Sequence, residues 1–86
     1  MQMLRMPAVK ATTGHKSHAS IYTAVNEGLF TQPVQIGQRA VGWPSTEVLA
    51  ICTARVAGAT TDQLRTLVNQ LHEKRKADFA ALGLNQ

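Results

Sequence analysis

Two short runs of alternating apolar and polar residues lie close together in the stretch QPVQIGQRAVGW, residues 32–43. Val34 and Ile36 alternate with polar neighbours in the first run, and Val41 and Trp43 flank Gly42 in the second. A period of two puts apolar side chains on one face of a strand, so the pattern predicts a β-hairpin with a longer-than-minimal turn. We expect Arg39 at the hairpin tip. We also expect Trp43 to pack the hairpin onto the helices, with its indole N–H bound to an acceptor.

Two short helices are predicted before the hairpin. The first is RMPAVKATTG, residues 5–14, in which Pro7 suits the first helical position and Gly14 can take the left-handed conformation that ends a helix. Ser17 can cap the second helix, which is expected to run to about Glu27 and to stop at Gly28. The tight turn GHK between them gives the spacing of a helix-turn-helix.

Two further helices are predicted after the hairpin, the third opened by Pro44 and the fourth capped by Thr60 or Thr61. The buried stripe of the third is expected to be Val48, Ile51, Cys52 and Val56. The fourth carries an apolar seam, which either packs back on the core or forms a dimer contact: Leu64, Leu67, Val68 and Leu71. The predicted fold is mainly α with a small β-hairpin. It divides into a winged helix-turn-helix domain, residues 1–57, and a C-terminal helical extension, residues 58–86.

The charge balance of this 86-residue chain points to a polyanionic partner. Nine Lys and Arg against five Asp and Glu give a net charge of +4 and a pI near 9.9. A basic domain of this size often binds nucleic acid, and the alternative is a generic soluble cation. No apolar run approaches the ~18 residues of a membrane span, and the start MQMLRM lacks the apolar stretch of a signal peptide. We therefore expect the chain to stay in the cytoplasm.

The second predicted helix has an unusual surface. Ile21, Ala24 and Val25 are at helical spacing and can face a core, but the other faces lack the usual Glu, Lys, Gln and Ala. The polar residues of this helix and of the turn before it are Lys16, Ser17, His18, Ser20, Tyr22, Thr23 and Asn26. Short hydrogen-bonding side chains suit the base edges of a DNA major groove. The alternative is an ordinary bundle helix with Tyr22 half-buried.

Enzymatic and metal chemistry have little support in the sequence. The five acidic residues are scattered, and neither G-x-S-x-G nor a phosphate-cradling glycine loop is present. His15 and His18 form an H-x-x-H pair, but zinc needs three or four ligands and only His72 and Cys52 remain. We expect no enzyme activity, no metal and no cofactor, and we expect Cys52 to be a small buried hydrophobe.

The stretches LRMPAVKATTG, SHASIYTAVNEGLFTQPVQIGQRAVGW and STEV resemble the AlpA family of phage and prophage regulators. The resemblance covers about residues 4–50, and PVQIGQRAVGW is its most specific part. AlpA proteins are small MerR-like DNA-binding proteins, related in fold to phage excisionases. Three features depart from the family pattern: the turn from Gly14 to Ser17 is one residue longer, His18 stands where the family usually has Arg or Lys, and Thr31 replaces a proline.

The resemblance implies a DNA-binding regulator of bacterial or phage origin that acts at the nucleoid. Such a protein activates transcription, for example of an integrase gene, or serves as an excisionase-like factor. Residues 17–22 fall on the start of the family's recognition helix, and Arg39 falls on its wing arginine. Base edges would be contacted by His18, Ser20, Thr23 and Asn26, and the sugar–phosphate backbone by Lys16, Tyr22 and Arg39. Arg39 has the adjacent minor groove as a second target.

Double-stranded DNA is thus the expected main partner. Further expected partners are a second copy of the chain, through residues 61–75, and an integrase or RNA polymerase; a membrane is not expected. A different class of function stays open as the alternative, namely a small adaptor that docks on another protein through its C-terminal amphipathic helix.

Overall fold

The computed structural model describes residues 1–84, in which there are four helices and three short strands. In chain order the elements are β1 (Met3–Leu4), α1 (Met6–Thr13), α2 (His18–Asn26), β2 (Val34–Gln35), β3 (Val41–Pro44), α3 (Ser45–Val56) and α4 (Thr61–Ala80). The molecule is thus mainly helical with a small antiparallel sheet, and the four predicted helices are present.

The helix ends are set by the residues that the sequence predicted for them. Gly14 has φ +83° and its N–H donates to the Lys10 carbonyl, which closes α1. The Ser17 hydroxyl accepts a 3.1 Å hydrogen bond from the backbone N–H of Ser20 and caps α2. Thr60 and Gln63 form a reciprocal capping box at the start of α4.

The predicted hairpin is present, and it is part of a three-stranded sheet. β2 pairs antiparallel with β3, with Val34 opposite Gly42, and the Ile36 N–H donates to the Ala40 carbonyl across the turn. β1 pairs with the other edge of β3, with Leu4 opposite Trp43. At Gly42 a Cβ atom would lie 3.0 Å from the Leu4 carbonyl oxygen, so the close approach of β1 requires glycine there.

Trp43 lies at the centre of the core and is fully buried. Its ring packs at a tilt against Phe30 and Tyr22, with centroids 5.9 and 6.2 Å apart. Its indole N–H donates a 2.7 Å hydrogen bond to the Thr31 carbonyl, which confirms the predicted role. The rest of the buried core cluster comprises Val9, Ile21, Ala24, Val25, Phe30, Val48, Ile51 and Val68.

The predicted stripe of α3 is right at Val48 and Ile51 and wrong at Val56, which is 90% exposed. At about 100° per residue, Val56 lies about 130° around the helix from the centre of the buried face. That face instead includes Glu47, which is 5% exposed. Cys52 is only partly buried, so the prediction of a small buried hydrophobe is also corrected.

The apolar seam of α4 packs on the same chain. Val68 belongs to the core cluster, Leu64 is buried, and Leu67 and Leu71 pack against the core from its edge. A domain division at residue 57 stays a prediction. Of the helices in residues 1–84, none combines the length and the apolar character that crossing a membrane requires.

Candidate nucleic-acid interface

The two sides of α2 differ in burial and in chemistry. Ile21, Ala24 and Val25 are buried against the core. The predicted contact residues His18, Tyr22, Thr23 and Asn26 are exposed. At about 100° per residue they span about 140° of the helix circumference, beside the arc of the buried residues, with His18 at the border next to Val25. We call these four residues the polar face of α2, and it is free to meet a partner over the full length of the helix.

The turn before α2 places Lys16 and Ser17 on the surface, and Ser20 of α2 bonds back to this turn. Lys16 and Ser17 are exposed, and the Ser17 hydroxyl is occupied in capping the helix. Ser20 is partly buried, and its hydroxyl lies 2.5 Å from Nδ1 of His15. Because Ser20 is already paired within the chain, its hydroxyl is less available to an external base than those of its neighbours.

Tyr22 has one side on the core and one side in solvent. Its ring packs against Trp43, as described above, while the residue stays 37% exposed. The half-buried tyrosine that the bundle-helix alternative expects is therefore present. The packing on Trp43 also limits the positions of the ring, while the exposed part of Tyr22 stays open to a sugar or a phosphate.

Arg39 is exposed in the turn between β2 and β3, as predicted. The shape of this turn is supported by Gln35, whose side-chain amide donates to the carbonyls of Gly37 and Gln38 at 3.1 and 3.2 Å. Gln35 was missed as a candidate residue. Its position at the end of a short strand, two residues before a glycine, is the signal that could have drawn attention to it.

The ion pairs divide the cations of the chain into two groups. Each cation of α4 pairs with a carboxylate: Arg65 with Asp62, Lys74 with Asp78, Arg75 with Glu47, and Lys76 with Glu73. Within residues 1–84 the other five cations lack such a partner; they are Arg5, Lys10, Lys16, Arg39 and Arg55. Among the carboxylates of these residues, Glu27 also lacks an ion-pair partner. The charges without an ion-pair partner, five cations and Glu27, thus sum to +4 and all precede α4.

A shallow depression of about 320 Å³ beside the α1–α2 turn is lined by Thr13, Gly14, His15, Lys16 and Ser20. In the described part of the chain, no three His, Cys, Asp or Glu side chains are grouped to hold a metal ion. The surface offers hydrogen bonds and positive charge to a large partner more readily than it encloses a small one.

The comparisons with known proteins give one family. The family model described as "Prophage CP4-57 regulatory protein (AlpA)" matches residues 2–50, more than half of the chain. The match includes α1, α2 and the whole sheet, and it ends inside α3. No curated protein and no solved structure matches the chain.

Proposed function

Because the chain belongs to the AlpA family of prophage regulatory proteins, we propose that it is a sequence-specific regulator that binds duplex DNA. In this proposal α2 enters the major groove, and the hairpin of β2 and β3 acts as a wing on the neighbouring backbone or minor groove. The regulated step is transcription, for example of an integrase gene, or excision of a mobile element.

The observation that carries the proposal is the position of the unpaired cations. They all precede α4, in the same part of the chain as the polar face of α2. Cations without intramolecular partners can neutralise phosphates and release counterions, which supplies most of the non-specific affinity of DNA-binding proteins. Lys16 and Arg39 flank α2 along the chain, one in the turn before the helix and one in the hairpin after it.

The polar face supplies the chemistry of base recognition. His18, Thr23 and Asn26 offer short donors and acceptors to base edges, while Lys16, Tyr22 and Arg39 contact the sugar–phosphate backbone. Ser17 and Ser20 take supporting roles, because Ser17 caps the helix and Ser20 holds His15. This differs from the sequence-based expectation, which counted Ser20 among the base contacts.

The adaptor alternative, docking through the C-terminal amphipathic helix, has less support, because the apolar seam of that helix packs on the same chain. Leu64 and Val68 are 4% and 2% exposed, so a partner cannot reach them without opening the fold. Self-association through residues 61–75, which the apolar seam suggested, and contact with an integrase or RNA polymerase, which the family suggests, remain additional proposals. For such contacts α4 would have to use the side of the helix that faces solvent.

Salt dependence of binding to a random-sequence duplex tests the proposal most simply. Five unpaired cations limit the number of phosphates that one molecule neutralises, so log affinity should fall linearly with log salt, with a slope no steeper than about −4.5. Fluorescence anisotropy with a labelled duplex measures this slope. Absence of binding at low salt, or affinity that does not change with salt, would refute the proposal.

A further inference from the structure

Three hydrogen-bonding side chains of α4 meet the segment that connects α2 to β2. Arg65, His72 and Arg75 lie at i, i+7 and i+10, so they share a side of the helix with the buried Val68. All three contact the backbone of the connection, which runs from Glu27 to Pro33. The family match ends at residue 50, so these contacts come from outside the matched region.

The contacts hold the connection at both of its ends. Nε of Arg65 donates to the Glu27 carbonyl, at the C-terminus of α2, over 3.0 Å. At Gln32, two residues before β2, the backbone N–H donates to Nε2 of His72 at 3.0 Å. The Gln32 carbonyl accepts from Nη2 of Arg75 at 2.8 Å. Both backbone groups of Gln32 are therefore bound by α4.

Arg75 is itself fixed by a buried carboxylate on α3. Its Nε and Nη2 donate to the two carboxylate oxygens of Glu47 at 2.7 and 2.6 Å, and the Glu47 side chain is 7% exposed. A bidentate pair of this kind constrains both the distance and the angle of the guanidinium. One side chain thus joins α3, α4 and the connection.

We propose that α4 acts as a strut that sets the position of the hairpin relative to α2, with Arg75 as a positioning residue for DNA binding. This inference rests on the proposed function. DNA binding through both α2 and the hairpin needs a fixed separation between Asn26 at one end of the connection and Arg39 in the hairpin. When the contacts at Gln32 are lost, the hairpin samples other positions, and the contact made by Arg39 weakens although Arg39 itself is unchanged.

A direct role of the Arg75 charge has to be separated from positioning. The double substitution Glu47→Gln with Arg75→Gln serves this purpose, since it leaves the net charge of the chain unchanged and leaves no unpaired buried charge. Replacing both members of a buried pair is far less harmful to folding than removing one. The matched control is Lys74→Gln with Asp78→Asn, which removes an exposed ion pair from the same helix with the same zero change in net charge.

The experiment measures affinity for one labelled duplex, with and without Arg39→Ala, at a temperature where circular dichroism shows every variant to be folded. The strut predicts that the Glu47/Arg75 double variant binds about fivefold or more weakly than the parent when Arg39 is present, and less than about twofold more weakly when Arg39 is alanine. The Lys74/Asp78 variant should bind like the parent in both backgrounds.

Each other result has a definite meaning. Unchanged affinity of the Glu47/Arg75 variant overturns the strut and leaves the proposed function intact. An equal loss in both Arg39 backgrounds also overturns it, because the effect would then not pass through the hairpin. If the double variant does not fold, Glu47→Leu with Arg75→Met takes its place under the same criteria, because this apolar pair also leaves the net charge unchanged and no buried charge unpaired. If the parent protein fails to bind duplex DNA at low salt, the proposed function falls and the strut falls with it.

Discussion

The indole N–H of Trp43 lies 2.7 Å from the carbonyl oxygen of Thr31 and donates to it inside the core. This bond ties the central strand β3 to the segment that follows α2, so one residue joins the sheet to the candidate DNA-binding helix. Tyr22 of α2 packs on the same indole ring. The position of the polar face therefore depends on Trp43.

Replacing Trp43 should destabilise the fold severely. We expect Trp43→Ala to lower the free energy of unfolding by about 3–5 kcal/mol, because it leaves a large cavity and an unpaired buried carbonyl. Urea denaturation followed by circular dichroism measures the change. Phe79→Ala is the control, since Phe79 is 63% exposed and its loss should change stability by less than about 0.5 kcal/mol. A near-native midpoint for Trp43→Ala would contradict the described core.

A substitution at Thr31 should stabilise the fold, in contrast to Trp43→Ala. The residue is fully buried, and its hydroxyl oxygen has no hydrogen-bond partner within residues 1–84. Thr31→Val keeps the shape and removes a desolvated polar group, so we expect the free energy of unfolding to rise by about 1 kcal/mol. The same urea titration measures it. A loss of stability of that size would mean that the hydroxyl is hydrogen-bonded in solution.

His72 should make the stability of the protein depend on pH. Burial, and after it the nearby Arg75 guanidinium, lower the pKa of His72 from its usual 6.5; Lys76 lowers it further, and the carboxylates of Glu47 and Glu73 oppose the shift without reversing it. Nε2 of His72 accepts the Gln32 N–H, which only the unprotonated nitrogen can do. Because the folded state resists protonation more than the unfolded state does, the stabilisation is complete above pH 6.5 and is lost as the pH falls through the lowered pKa.

Melting temperatures between pH 7.5 and pH 5 test this dependence on His72. The variant His72→Gln keeps an acceptor for the Gln32 N–H and does not titrate, so its melting temperature should fall less over this range than that of the parent. His15 and His18 are present in both proteins, and the comparison therefore isolates His72. Identical pH profiles would refute the assignment.

Ser20 and Thr23 should respond differently to alanine substitution. The Ser20 hydroxyl is paired with His15, whereas Thr23 is exposed on the polar face. We expect Thr23→Ala to reduce the preference for a selected duplex over a scrambled one by ~1–3 kcal/mol, and Ser20→Ala to reduce it by less. Competition anisotropy with the two duplexes measures the preference. A larger loss of preference for Ser20→Ala would place Ser20 among the base contacts after all.

Much of the fold could be predicted because its signals are local. Ser17, Gly14 and Thr60 set helix ends through backbone geometry and capping bonds within a few residues. The hairpin and the burial of Trp43 followed from a period of two. β1 was missed because two residues are too few to show a period, and its pairing with β3 bridges about 40 residues.

In the candidate site, too, some features follow from local sequence and others depend on contacts that the sequence does not reveal. The exposure of Thr23 and Asn26 followed from the burial of Ile21 and Val25 on the other side of one helix. The hydrogen bond between Ser20 and His15 depends on the detailed shape of a turn, which the sequence alone does not specify. The pair of Glu47 with Arg75 joins residues 28 apart, and each residue alone is typical of a solvated helix surface.

The central claim is that the polar face of α2 reads sequence while Arg39 adds affinity. A duplex selected by the parent protein from a random pool supplies the specific site, and a scrambled version supplies the reference. Asn26→Ala is compared with Asn69→Ala on the exposed surface of α4, and Arg39→Ala with Lys76→Ala, so that each change has a matched control.

The deciding measurement is the affinity of these four variants for both duplexes at two salt concentrations. We predict that Asn26→Ala weakens binding to the selected duplex by ~1–3 kcal/mol and changes binding to the scrambled one little. Arg39→Ala should weaken binding to both and make the salt slope shallower by about one, and the α4 controls should behave like the parent. Equal weakening on both duplexes by Asn26→Ala, with no change in preference, would contradict the claim that α2 reads the DNA.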